Sequence, residues 1–137
     1  MIQAPPTSKE VSAAYLKLSV GLRGILYPVR DLIFETALTT PGCGQIVEDV
    51  KWGQPAYLTE KPKSGTTLRL GPSPDDPERG ALFVHCSTSL IEDYQARYGD
   101  LFDYAGNRAL VIPADLKAHR EAVAHCIALG LMYHKRS

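Results

Sequence analysis

Near residue 41 the hydrophobic period of this chain changes abruptly, and the change constrains the fold more than any other feature. Leu22, Ile25, Leu26, Val29, Leu32, Ile33, Thr36 and Ala37 recur at three-and-four spacing, the pattern of a helix with one buried stripe. Pro41-Gly42-Cys43-Gly44 ends that section. From Ile46 the period is two, with Ile46, Glu48, Val50 and Trp52 on one face of a strand and Val47, Asp49 and Lys51 on the other. A chain of 137 residues, 45% hydrophobic, is sized for one core. Helices and strands must therefore share it.

Residues 1–7, with Pro5 and Pro6, read as a flexible leader, and residues 8–137 as a single domain. Ser8 can start a short helix carrying Val11, Ala14, Tyr15 and Leu18, and Ser19 can cap the long one. Pro28 lies inside the long helical pattern, where a missing donor and a crowded ring predict a kink or the start of a second helix. Gly53 and Pro55 interrupt the first strand and predict a bulge or tight bend before Ala56–Thr59 resumes the sheet. Thr66–Leu70 reads as the next strand, and Ala81–Cys86, apolar on both faces, as a central one. Ser89-Leu90-Ile91-Glu92 fits a capping box for a helix ending at Gly99. Ala105-Gly106-Asn107 divides a hairpin, Leu101–Tyr104 with Arg108–Ile112. Asp115 can cap a last helix with Leu116, Val123, Ile127 and Leu131 buried, and Lys135-Arg136 suit its C-terminal dipole. The expected fold is two-layer α+β: a largely antiparallel sheet of about five or six strands, with N- and C-terminal helices packed on one face.

Composition excludes some roles. Fifteen Lys and Arg balance fifteen Asp and Glu, so no global basic field recruits nucleic acid. No apolar run approaches the roughly 20 residues that span a bilayer. Met1–Glu10 lacks signal-peptide regions, so the cytoplasm is the expected address. Cys43, Cys86 and Cys126 are odd in number and far apart, which argues against a disulfide framework or a zinc knuckle. Cys86 and Cys126 sit in apolar patterns and should be buried; Cys43 lies in a glycine loop and could be exposed.

Around Lys51-Trp52-Gly53-Gln54-Pro55-Ala56-Tyr57 the chain resembles the YdhG-like family of small bacterial domains. The resemblance extends through Val29-Arg30-Asp31-Leu32-Ile33, Ala81-Leu82-Phe83-Val84-His85, Gly106-Asn107-Arg108-Ala109-Leu110 and the closing helix, and so covers nearly the whole chain from about residue 9. It implies a frataxin-like architecture, and one bacilli member is regarded as a frataxin-like iron chaperone. Most members have no assigned activity.

The leading functional expectation is a non-enzymatic binding domain for a small, anionic molecule or a peptide segment, with no cofactor. Trp52 and Tyr57 offer flat surfaces with polar tips, Gly53 permits close approach, Gln54 can donate and accept, and Lys51 or Arg108 can pair with an anion. His85, on the central strand, is either a core histidine or a polar point in the same pocket. The ordinary reading is that Trp52, Pro55 and Tyr57 are core and bend residues. An alternative reading, iron handling, would use Asp31, Glu35, Glu48 and Asp49 as oxygen ligands. Adjacent Glu48 and Asp49 point to opposite faces, however, and Arg23 and Arg30 lie near the helical acids. His119, Cys126 and His134 lie along one helical side but are too far apart to share one ion. A third reading is a homodimer or interaction scaffold using an uncovered sheet face. The chain contains no nucleophile elbow, phosphate-cradling glycine loop or His-Glu-x-x-His helix.

Overall fold

The computed structural model describes residues 4–135. The order is α1 (Lys9–Leu16), α2 (Val20–Thr39), β1 (Gln45–Lys51), β2 (Gln54–Glu60), β3 (Leu68–Pro72), β4 (Gly80–Phe83), α3 (Leu90–Tyr98), β5 (Asp103–Ala105), β6 (Ala109–Val111) and α4 (Arg120–Leu131). The strands form one antiparallel sheet in the order β1-β2-β3-β4-β6-β5. This is the α+β architecture expected, with β1 and β5 at the edges. Among the described residues no helix is long and apolar enough to cross a membrane.

The first two helices begin where their caps place them. Ser8 Oγ accepts from Val11 N–H at 3.2 Å, and Ser19 Oγ from Leu22 N–H at 3.1 Å. Helix α2 runs unbroken through Pro28, so no second helix begins there. Pro28 sits on the exposed side, where the lost backbone bond faces solvent instead of the core. At α3, Ser89 makes no side-chain cap; its hydroxyl donates to Asp93 Oδ2 at 3.1 Å. Asp115 does not cap α4, whose N-cap is His119; its carboxylate accepts from Ala118 N–H at 3.2 Å beside the 3-10 turn that precedes α4.

The main core lies between sheet and helices. Leu26, Val29 and Ile33 of α2 meet Tyr57, Leu68, Leu70, Leu82 and Leu110 of the sheet, and α4 adds Val123, Ile127 and Leu131. Helices α1 and α2 lie against the sheet, and α4 packs on α2 and α3. The opposite face of β4 is also buried, in a smaller cluster of Ala81, Phe83, Ala105 and Ala109. The strand is thus covered on both sides, as its composition requires. It nevertheless stops at Phe83, and the chain turns away, so His85 and Cys86 are exposed rather than in the core.

Of the predicted leader, residues 1–3 lie outside the described residues, while the Pro5 carbonyl accepts from Arg30 Nη2 at 2.5 Å. Arg136, expected at the C-terminal dipole, also lies outside them.

Candidate functional site

The predicted bend at Gly53 and Pro55 is a two-residue hairpin turn. Lys51 pairs with Gln54, and the two residues between them, Trp52 (φ 51) and Gly53 (φ 73), both take positive φ, as a tight hairpin demands. Trp52 therefore leaves the strand alternation and projects from the sheet end with 80% of its surface exposed. Pro55 opposes Val50, one pair in from the hairpin-closing pair. That is a non-hydrogen-bonded position, so its missing N–H costs the β1–β2 ladder nothing.

Arg69, which the sequence reading passed over, organises what surrounds Trp52. Its guanidinium lies 5.1 Å from the Trp52 ring centroid and 5.3 Å from that of Phe83, standing between the two rings. Gln54 Oε1 fixes it by accepting from Nη1 at 2.7 Å. The Gln54 amide in turn lies flat against Gly71, where a Cβ would collide with it. Burial first, and the charge of Arg108 second, push the Arg69 pKa downward. Among the described residues neither Arg69 nor Arg108 forms an ion pair with a carboxylate.

Beside this stack is a concavity of about 310 Å³ lined by Lys51, Trp52, Leu58, Thr66, Thr67, Arg69 and His85. Lys51, Trp52 and His85 line one concavity, and Gln54 acts from behind through Arg69. The Lys51 ammonium is only loosely engaged, 3.7 Å from Asp49 Oδ2. His85 is an exposed lining residue, not a core histidine; its Nδ1 faces the Ser87 hydroxyl at 2.6 Å. Arg108 sits in the β5–β6 turn, outside the lining but close enough to act on Arg69.

Tyr57 does not join this site. It points to the helical face, fully buried, and its hydroxyl donates to Glu48 Oε2 at 2.8 Å and meets the Tyr15 hydroxyl at 2.5 Å. Glu48 is chelated there by Arg30, with Nε to Oε2 at 2.5 Å and Nη2 to Oε1 at 2.9 Å. Burial, followed by the nearby Tyr15 and Glu48 groups, pushes the Tyr57 pKa well up, and burial does the same for Tyr15.

The four carboxylates of the iron reading are dispersed. Both Glu48 oxygens are engaged, Asp49 accepts from its neighbour Val50 N–H at 2.8 Å on the other face of β1, and Asp31 and Glu35 lie on α2, where Glu35 pairs with Arg120. Among the described residues no three potential metal ligands come together, and His119, Cys126 and His134 do not converge. Cys126 is buried, its thiol pushed up to about 12 by desolvation that the Arg97 charge partly opposes. Cys43 is half-buried beside Ser64, and burial raises its pKa too. Cys86, expected in the core, is exposed because β4 ends before it.

Comparison with protein-family models, curated proteins and solved structures finds no match for this chain.

Proposed function

We propose that the protein is a cytoplasmic binding domain, not an enzyme, that holds a small anionic molecule with a flat apolar group on its open sheet face beside Trp52. The observation that carries this is the exposed Trp52 ring held over the Arg69 guanidinium at the mouth of a concavity shared with Lys51 and His85. An exposed indole with a polar N–H edge is the kind of amphipathic surface that binding sites present. The Arg69–Arg108 repulsion is relieved by an anion between the two charges, and Lys51 adds a third donor at the rim. Gln54 pre-orients Arg69, so little ordering is left to binding. The proposal includes membership of the YdhG-like family, which rests on the Trp52-Gly53-Gln54-Pro55-Ala56-Tyr57 element.

Phenyl phosphate is a suitable probe because it combines a flat ring with a dianion. Calorimetric titration should give saturable binding to the wild-type chain. Trp52→Asn, which keeps a residue tolerant of positive φ, and Arg69→Ala should each weaken it about tenfold, the value of one lost cation–π or charge-assisted contact. Equal affinity in all three proteins would remove the proposal.

A further inference from the structure

A second concavity, of about 580 Å³, lies between α2 and the segment joining β6 to α4, on the helical side of the sheet. Its size falls within the range of small-molecule sites, about 300–1,000 Å³. Ile25, Leu32, Pro113 and Leu116 give it apolar walls. Its polar groups are mostly acceptors. Pro28 has no N–H to give the Gly24 carbonyl four residues earlier, so that oxygen lacks its regular helical donor. Both residues line the cleft, and a Cβ built on Gly24 would meet nothing within 4 Å, so the backbone there is open to approach. Asp31, one turn beyond Pro28 on the same face, is exposed and takes part in none of the ion pairs among the described residues.

The other charges around the rim are largely committed. Glu35 pairs with Arg120, and Asp115 accepts from Ala118 N–H at 3.2 Å, which leaves Lys117 as an exposed cation at the edge. An anion entering along the α2 wall meets Asp31 and a carbonyl without its regular helical donor, which repel it. An ammonium group finds two acceptors there, and an attached hydrocarbon finds the apolar walls.

We propose that this cleft binds a small amine with an apolar body, its ammonium held by the Gly24 carbonyl and the Asp31 carboxylate and its apolar part against Leu32, Pro113 and Leu116. The site stands on different residues from the Trp52 surface and does not depend on it. Amide NMR titration of the full chain with phenethylammonium should move Gly24, Leu32 and Leu116 saturably and leave the Trp52 indole signal in place. Phenethyl alcohol, the same shape without the charge, should bind about tenfold more weakly. Asp31→Asn, an isosteric change at an exposed position, should erase most of that preference. Pro28→Ala, which returns a donor to the Gly24 carbonyl, should weaken the amine more than the alcohol, whose neutral hydroxyl makes the weaker bond to that oxygen. The same spectra report whether each variant is folded. Equal binding of amine and alcohol, an unchanged preference in Asp31→Asn, or no saturable shift at these residues overturns the proposal.

Discussion

Replacing Glu48 with alanine is expected to lower the unfolding free energy by about 3–5 kcal/mol, the usual consequence of removing one partner from a buried ion pair. The side chains of Arg30 and Glu48 are only 8% and 10% exposed, and the guanidinium makes two hydrogen bonds to the carboxylate. Without Glu48 the Arg30 guanidinium loses its carboxylate and keeps the Pro5 carbonyl and the Phe34 ring face, and the Tyr57 hydroxyl loses its carboxylate acceptor. Against a typical stability of about 5–15 kcal/mol, that is a large fraction. The pair Arg30→Met with Glu48→Leu removes both charges together and should cost far less, because no buried charge is left unpaired. Urea unfolding of the wild type and both variants measures this. A Glu48→Ala loss below about 1 kcal/mol would mean that the pair behaves as a solvated surface contact.

The second large effect is an alkaline one. Tyr15, Tyr57 and Tyr94 all have pKa values raised above the ordinary 10.0, each chiefly by burial. The sign follows from which state releases protons first. Below about pH 9 these phenols are protonated in both folded and unfolded chains and add no pH dependence. Above 10 the unfolded chain ionises while the folded one does not, so stability falls as pH rises toward the folded values. Together the three tyrosines subtract on the order of 4 kcal/mol by pH 11. Urea unfolding at several pH values between about 8 and 11 should show a level region followed by a steep decline. Stability that stays level through pH 11 would mean these hydroxyls are hydrated and titrate normally.

Much of the fold could be read from the chain because it depends on local periodicity. The helix starts at Ser8 and Ser19 follow from residues next to one another, and so does the β5–β6 hairpin around Gly106. The site was harder. Trp52 continues the alternation of Ile46, Glu48 and Val50, so spacing alone places it on the strand, whereas the register of Lys51 with Gln54 makes it a turn residue. Tyr57 looks like part of the same aromatic surface until that register sets it opposite Glu48 on the helical face. The Arg30–Glu48 chelate joins residues 18 apart, and no local pattern encodes it. Arg69 did leave a signal: with Leu68 and Leu70 turned to the core, alternation puts it on the open face. The apolar run through Cys86 gave no notice of where β4 stops, because a buried strand and the first residues after it have the same composition.

The central claim, that the open face beside Trp52 is a binding site for an aromatic anion, is tested most directly by the fluorescence of Trp52. It is the only tryptophan in the chain, so its emission reports that surface alone. Titration with phenyl phosphate at low ionic strength should change the emission saturably, and added salt should weaken the response, since surface charges are screened within about 10 Å at 0.1 M. Phenol and inorganic phosphate, each carrying half of the recognition, should bind far less well. A response that is linear in concentration, or identical for phenol and phenyl phosphate, would contradict the claim.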